Sequence, residues 1–350
     1  MMYLHSLATA SPDVSYTQKE VWEIFSGSPA PQRLRPGSVE LVRKVLRGEN
    51  GISRRHFALP DFDYLLGADG EALNHAFERE APVLGAKALS ASLAEGGWKP
   101  AELDALIVCT CTGYLCPGLS SFIAEREGLS PDCFLLDLVG QGCGAAVPAM
   151  RTASGILAAN PEAKVAVVAV EVCTAAFYLD DEAGVLVSFC LFGDGAAATL
   201  WTGQGRSGDW YADGFDTLHL PADRQLLRFE NSRGMLRNRL HSSIPEASSR
   251  AVGTLYERRL ARDENPPGAI VSHGGGIKVV EAVEERLARS LAPATREILN
   301  EHGNMSSPSV LFALQRHLGM NRHDAGDSIW LTSFGAGFTV YGMDLRKDPR

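Results

Sequence analysis

The chain has 350 residues, 45% of them hydrophobic and 21% charged, and its acidic residues outnumber basic ones 42 to 33, for a formal charge of −9. This length exceeds what one hydrophobic core usually supports, and the acidic balance argues against a nucleic-acid binder. No apolar run reaches the roughly 18 residues of a membrane span. The N-terminus lacks the basic flank of a signal peptide, and the seven cysteines are odd in number and scattered. These features predict a cytoplasmic α/β protein with reduced thiols that binds neither nucleic acid nor membrane.

The first 60 residues are predicted to form helices and loops. A helix over 38–46 begins at Ser38, a plausible N-cap, and carries an apolar face. Its other face and the residues that follow are basic, which indicates either a solvated surface or a local phosphate-binding patch. Both interpretations stay open at this point. The basic residues are Arg43, Lys44, Arg47, Arg54 and Arg55.

From about residue 80, helical stretches alternate with short apolar runs. Such alternation predicts parallel β-α-β layers with helices on both faces of a sheet. The predicted helices are 83–93 and 145–157, and the predicted strands are 103–109, 134–138, 164–170 and 193–200.

The second half repeats this plan after the glycine-rich run 203–208. We therefore predict two duplicated α/β halves, residues 1–205 and 206–350, with the polar stretch 206–265 as irregular cover. The predicted elements of the second half are a strand over 269–271, a helix over 309–317, and strands over 328–332 and 334–340.

Cys143 stands in a glycine turn between a predicted strand and a predicted helix. A helix N-terminus favours a thiolate, and flanking glycines let a carbonyl approach the sulfur, so Cys143 is a candidate nucleophile. A buried structural cysteine is the alternative. Gly140, Gly142 and Ala145 also fit the G-x-G-x-x-A pattern of a dinucleotide site, although such a site has no use for a central thiol.

A nucleophilic cysteine needs a base and an oxyanion stabiliser. His273 follows a predicted strand and precedes three glycines, which would leave its ring at a strand end in open surroundings. Asn304 precedes a predicted helix. Taken singly, His273 could be a structural histidine and Asn304 a helix cap.

Together these residues resemble the Cys-His-Asn triad of type III polyketide synthases. Cys143 and His273 are 130 residues apart, and His273 and Asn304 are 31 apart. The segment 191–198 resembles the gatekeeper segment of that family, and 333–337 resembles its C-terminal glycine loop. The resemblance covers about residues 5–345. It implies a thiolase-like five-layer α-β-α-β-α fold built from two duplicated halves, and a homodimer.

The resemblance also implies a reaction. Cys143 would take an acyl group from a coenzyme A starter, while His273 and Asn304 would hold the thioester oxygen of malonyl-CoA as it loses CO2. The resulting enolate would attack the acyl group, repeated condensations would lengthen the chain, and ring closure would give a pyrone or a resorcinol-type product. The substrates are coenzyme A thioesters, and no further cofactor or metal is expected; Cys109, Cys111 and Cys116 lack the paired spacing of a zinc site.

Several positions would line the substrate cavity by the same resemblance. Cys116 replaces a methionine that reaches across the dimer, and Ala176 and Asn238 replace larger side chains of the plant enzymes. A wider cavity or side tunnel and an aliphatic starter are therefore expected. The substrate-binding candidates are the gatekeeper Phe192 together with Cys111, Thr112, Cys116, Ala176, Gly276, Phe334 and Gly335.

The family binds coenzyme A with basic residues of an early helix, which favours a phosphate role for part of the basic set above. Lys278, just past the His273 loop, could also meet phosphate. The candidates are Arg43, Lys44, Arg47, Arg55 and Lys278.

Three other functions fit parts of the pattern. A priming β-ketoacyl-[acyl carrier protein] synthase has the same fold and triad, but the segment 304–307 and the three glycines after His273 favour the polyketide enzymes. A hydroxymethylglutaryl-CoA synthase would acylate the same cysteine. A non-catalytic binding protein is disfavoured because all three triad residues are present.

Overall fold

The structure is a computed structural model that describes residues 1–320 and 322–350. The strands are β1 Met2–Ala10, β2 Ser15–Thr17, β3 Arg54–His56, β4 Ala105–Thr110, β5 Phe134–Val139, β6 Val165–Glu171, β7 Gly195–Thr202, β8 Trp210–His219, β9 Leu227–Ser232, β10 Met235–Leu240, β11 Ala269–Ser272, β12 Ser328–Gly335 and β13 Thr339–Lys347. The helices are α1 Gln18–Gly27, α2 Pro36–Arg47, α3 Phe62–Gly67, α4 Gly70–Gly96, α5 Leu119–Glu127, α6 Ala146–Ala159, α7 Ala183–Leu191, α8 Ile244–Arg262, α9 Ile277–Leu287, α10 Pro293–His302 and α11 Ser309–Met320.

A mixed sheet of nine strands runs through the molecule in the order β11-β12-β13-β8-β1-β7-β6-β4-β5. Its two halves join at β1, which pairs antiparallel with both β7 and β8. Helices α6 and α11 contact strands of both halves, whereas α4 covers strands of the first half and α8 those of the second. The layers therefore run helix, sheet, helix, sheet, helix, which confirms the predicted five-layer α/β fold.

The apolar runs form the buried strands because helices cover both faces of each half-sheet. Every residue of β6 is buried, and β4 is buried along its whole length. In α6 the small residues Ala146, Ala149 and Ala153 are fully buried, which lets this helix lie close to both half-sheets.

Some elements differ from the sequence-based prediction. Strand β1 occupies the centre of the sheet although the first 60 residues were expected to be helical or loop-like. The stretch 206–265, expected as irregular cover, contains β8 in the main sheet, the hairpin β9–β10 and helix α8. The partial exposure of β8 explains its polar composition. The proposed boundary near residue 205 falls between β7 and β8, and the division into two duplicated halves stays a prediction.

Strand β5 is the last strand of the sheet and, among the described residues, pairs only with β4. Two of its apolar side chains, Phe134 and Val139, are 55% and 45% exposed. An edge strand with open backbone groups and exposed apolar side chains favours pairing with another chain. Across the described residues, no helix has both the length and the hydropathy of a membrane span.

Candidate active site

The three triad candidates lie on three separate elements. Cys143 stands in the 3₁₀ turn Gly142–Gly144 between β5 and α6, His273 follows β11, and Asn304 follows α10. Their exposed fractions are 8%, 1% and 5%. All three side chains are therefore buried, each in a loop or turn that follows a strand or a helix.

The end of β12 connects the cysteine loop to the histidine. Ser333 Oγ donates to the Gly144 carbonyl oxygen at 3.2 Å, and the His273 amide donates to the Thr332 carbonyl oxygen at 2.9 Å. The Phe334 ring lies against the imidazole, with centroids 5.2 Å apart. The predicted C-terminal glycine loop therefore lies beside both residues, as the resemblance implies.

Backbone pairing connects Asn304 to the gatekeeper segment. The Asn304 amide donates to Leu191 O at 2.9 Å, and Gly193 N donates to Asn304 O at 3.0 Å, so that Phe192 lies directly opposite. The side-chain nitrogen Nδ2 of Asn304 donates to Gly275 O at 3.1 Å. One of the two Nδ2 hydrogens is used in this contact, and the other remains available.

Burial sets the protonation states of the cysteine and the histidine. It raises the pKa of Cys143 to about 12, although hydrogen bonding from Ser306 opposes the shift. It lowers the pKa of His273 to about 4. At neutral pH the pair is a thiol and a neutral imidazole, so burial outweighs the thiolate-favouring helix N-terminus expected from the sequence. No described residue hydrogen-bonds either nitrogen of the His273 ring.

The sequence analysis missed Glu171, a fully buried carboxylate at the end of β6. It accepts hydrogen bonds from Thr112 Oγ1 at 2.8 Å, from the Cys111 amide at 2.9 Å, and from Ser307 Oγ at 2.6 Å. Burial raises the pKa of this carboxyl, and the hydrogen bonds oppose the rise. A single charged residue that ends an otherwise apolar strand is the signal that could have identified it.

Ser306 lies where these groups meet. Its Oγ is 3.1 Å from Cys111 Sγ and 3.3 Å from a Glu171 carboxylate oxygen, and its amide donates to Asn304 Oδ1 at 2.8 Å. Its φ of +61° is in the left-handed region that non-glycine residues rarely adopt. This conformation places one hydroxyl beside Cys143, Cys111 and Glu171 together.

Two cavities adjoin this cluster. A cavity of about 1050 Å³ reaches Cys111, Thr112 and Gly142 and opens between α4 and the hairpin β9–β10. A second, of about 20 Å³, brings together four predicted substrate-binding residues. These are Cys111, Thr112, Ala176 and Phe192.

The expected widening beside Ala176 and Asn238 is not observed among the described residues. Tyr178, Val185 and Ser188 also line that space and reduce it to about 20 Å³. The larger volume lies elsewhere, on the side of Cys111 that faces Gly142.

The other predicted substrate-binding residues take different positions. Gly276, with φ of +154°, immediately precedes α9, and Gly335 lies against the Gln141 main chain next to the cysteine loop. Cys116 is exposed and lines neither cavity.

Four of the five predicted coenzyme A residues are exposed, namely Arg43, Lys44, Arg47 and Lys278. Arg43 forms an ion pair with Glu40 on α2. The loop after α2 reaches α9, because Gly51 lies against Ile277, the residue before Lys278. The basic end of α2 and Lys278 therefore flank neighbouring parts of the surface.

Arg55, the fifth, is separated from the others because it is fully buried. Its guanidinium donates to the carbonyl oxygens of Phe189 and Phe192 and to Gln18 Oε1, and its central carbon lies 5.1 Å from the Phe57 ring centroid. A cation in this position offers no open face to a phosphate group. Within the described part of the chain, no group of three or more histidine, cysteine or acidic side chains could hold a metal ion.

Two protein-family models match the sequence. Residues 8–209 match the model described as FAE1/Type III polyketide synthase-like protein. Residues 267–347 match the model of the C-terminal part of 3-oxoacyl-[acyl-carrier-protein] synthase III.

Curated relatives match over nearly the whole chain. The chain is 30% identical to the 3,5-dihydroxyphenylacetyl-CoA synthase of Streptomyces toyocaensis over 95% of its own length and 87% of that protein. It is also 30% identical to the 1,3,6,8-tetrahydroxynaphthalene synthase of Streptomyces peucetius subsp. caesius, over 97% of its own length and 91% of that protein. The crystal structure of 1,3,6,8-tetrahydroxynaphthalene synthase from Streptomyces coelicolor A3(2) superposes with a TM-score of 0.86 at 23% identity and covers 99% of each chain.

Proposed function

Because the chain belongs to the type III polyketide synthase family, we propose that Cys143 accepts an acyl group from a coenzyme A starter and that malonyl-CoA extends it. In the loading step the Cys143 sulfur attacks the thioester carbon, and the bond from that carbon to the coenzyme A sulfur breaks. His273 receives the thiol proton and returns it to the leaving sulfur. The unpaired, neutral imidazole supports this role, since a base must be free to take the proton.

In the extension step, His273 and Asn304 hold the thioester oxygen of malonyl-CoA. The carbon–carbon bond to the carboxylate breaks, CO2 leaves, and the electron pair passes into an enolate. The imidazole N–H and the unused Nδ2 hydrogen of Asn304 are the two donors that stabilise the enolate oxygen. The enolate carbon then attacks the acyl carbon, and the Cys143 thiolate leaves. The extended chain, now a coenzyme A thioester, is transferred back to Cys143 with release of coenzyme A, so that further malonyl-CoA units can be added.

The extended chain closes to a pyrone or a resorcinol-type ring. The cavity of about 1050 Å³ beside Cys111 and Gly142 supports this step, because its volume exceeds that of a small starter alone. The pantetheine arm would pass Phe334 and the glycines 276 and 335 to reach Cys143, and the coenzyme A phosphates would meet Lys44, Arg47 and Lys278. We propose no cofactor beyond the thioester substrates themselves.

We further propose that the enzyme is a homodimer through the edge of β5. Phe134 and Val139 supply the exposed apolar surface, and Tyr114 in the neighbouring loop is 69% exposed. Cys116 lies in the same loop, where pairing would bring it to the partner's cavity. All seven cysteines are free, which is consistent with a reducing cytoplasm.

The single observation that carries the proposal is the buried His273 ring, 1% exposed with both nitrogens unpaired, beside the end of β12 that also contacts the cysteine loop. The test incubates the protein with malonyl-CoA and a panel of acyl-CoA starters without carrier protein. Mass spectrometry follows the released products and the Cys143 peptide. We expect acylated Cys143 and pyrones or resorcinols, both lost in Cys143→Ala and kept in Cys133→Ala, a buried cysteine outside the site.

A carrier-dependent synthase is the second candidate, favoured by the C-terminal match at residues 267–347. Acylation of Cys143 without extension, followed by extension when malonyl-acyl carrier protein is added, would favour that function. If no starter acylates Cys143, the enzymatic proposal is wrong.

A further inference from the structure

The small cavity beside the catalytic cluster has room for one water-sized group. Its volume is about 20 Å³, and its lining includes Cys111 and Ser306, which both interact with Cys143. The same lining includes two buried polar side chains, Tyr178 and Asn238. Each of them is 4% exposed. A group that enters this cavity thus meets a mostly apolar wall in which Tyr178 and Asn238 are two of the few polar side chains.

Asn238 presents an unpaired acceptor. Its Nδ2 donates to Ser188 Oγ at 3.0 Å. The Ser188 hydroxyl, which has one hydrogen, donates it to Gly184 O at 2.6 Å. Ser188 can therefore only accept from Asn238, which fixes the orientation of the amide. No described residue donates to Asn238 Oδ1. Buried acceptors are nearly always paired, so this oxygen points to a missing donor.

Tyr178 presents a donor. No described residue forms a regular hydrogen bond with its hydroxyl, although the guanidinium of Arg237 lies beside it. Arg237 is itself held by Asp180 at 3.1 Å. Burial raises the pKa of Tyr178, with Arg237 opposing, so the phenol keeps its proton at neutral pH. The tyrosine can then donate to an oxygen in the cavity.

We propose that Asn238 and Tyr178 select a short acyl starter whose far end carries a hydroxyl group. A hydroxyl donates to Asn238 Oδ1 and accepts from the Tyr178 hydroxyl, and its oxygen matches the room available. A methyl group would leave both polar atoms unpaired, and a carboxylate would place its charge against Oδ1. This inference rests on the proposed function, because it concerns the group loaded on Cys143.

The test compares starters that differ only at the far end. 4-Hydroxybutyryl-CoA and pentanoyl-CoA have the same number of heavy atoms, with a hydroxyl in one and a methyl in the other, and succinyl-CoA supplies the carboxylate. We measure kcat/KM for acylation of Cys143 and for malonyl extension with each. We expect the hydroxylated starter to exceed both others at least tenfold, because a site built for a hydroxyl strongly disfavours analogues that lack it.

Two variants separate recognition from folding. Asn238→Leu removes the acceptor and Tyr178→Phe removes the donor, and we expect each to bring the hydroxyl-to-methyl ratio near one while the rate with pentanoyl-CoA holds or rises. Tyr64→Phe, at an exposed tyrosine that lines neither cavity, should keep the wild-type ratio.

Three results would overturn the inference while leaving the proposed function intact. They are a wild-type hydroxyl-to-methyl ratio of kcat/KM near or below one, a preference for succinyl-CoA, and a ratio that does not change in either variant. Failure of every starter to acylate Cys143 would overturn the proposed function and this inference with it.

Discussion

Arg55 donates a hydrogen bond of 2.7 Å from Nη1 to the main-chain oxygen of Phe192. The same nitrogen donates to Phe189 O at 2.7 Å, and Nε donates to Gln18 Oε1 at 2.9 Å. Burial lowers the pKa of Arg55 only to about 10, so the guanidinium keeps its charge at neutral pH. This buried cation thus holds the end of α7 and the gatekeeper residue in place from behind.

Replacing Arg55 with methionine should destabilise the protein by about 3 kcal/mol, because it leaves several buried acceptors without donors. Urea denaturation followed by circular dichroism measures the loss. Arg54→Met is the matched control, since Arg54 is the exposed neighbour in the same strand. If Arg55→Met unfolds like the wild type but raises KM for malonyl-CoA, the arginine binds coenzyme A as the sequence suggested.

Substitution of the exposed basic residues should weaken substrate binding and leave stability unchanged. Arg47→Ala and Lys278→Ala should each raise KM for malonyl-CoA about threefold to fivefold without loss of stability, because a solvated contact to phosphate is worth about 1 kcal/mol or less. Steady-state kinetics at low and high salt measure this, and the effect should shrink as salt rises. Lys19→Ala on α1 is the control. Unchanged KM values in both variants would contradict a phosphate role for this surface.

These residues show what a single sequence can and cannot predict. The buried strands, the glycine turns and the order of Cys143, His273 and Asn304 follow from local pattern and from the resemblance. The burial of Arg55 does not, because an arginine pair before a loop is typical of a surface. Its burial depends on carbonyl oxygens more than 130 positions away.

Dependence on contacts that are distant in the sequence also explains why Glu171 and strand β1 were not predicted. The donors to Glu171 come from segments about 60 and 136 residues distant, so no local window contains the site. Strand β1 lacks a clear alternation of apolar and polar residues because it is packed between β7 and β8, with α4 and α11 against it. The cavity beside Ala176 was mispredicted for a related reason. Small residues at two positions do not open space when Tyr178 and Val185 fill it.

The unpaired edge of β5 predicts a dimer that one charge should disrupt. Phe134→Asp places a carboxylate on the exposed apolar edge, where a second copy would have to bury it. We expect light scattering after size-exclusion chromatography to give twice the chain mass for the wild type and the chain mass for the variant. Tyr64→Asp, at a similarly exposed aromatic residue away from the edge, should remain dimeric. A monomeric wild type would contradict the proposed homodimer.

The neutral, buried His273 should make the protein sensitive to acid. Its pKa is about 4 in the folded state against an ordinary 6.5, so between these values the unfolded chain binds a proton that the folded chain does not. The histidine therefore contributes stability above pH 6.5 that is lost as the pH falls towards 4. His302 shifts in the same direction, whereas Asp194, whose pKa burial raises to about 6, acts in the opposite sense. The contribution of His273 is therefore isolated by the difference in unfolding free energy between the wild type and a variant that lacks this histidine.

We expect the free energy of unfolding of the wild type, relative to His273→Gln, to fall by about 3 kcal/mol between pH 7 and pH 4. Glutamine has a similar size and does not titrate, so the other groups cancel in the comparison. Urea denaturation of both proteins at half-unit steps of pH gives the difference. A difference that stays constant with pH would mean that the imidazole is hydrated or paired with an acid in the folded state. The neutral base assigned to the loading step would then be wrong.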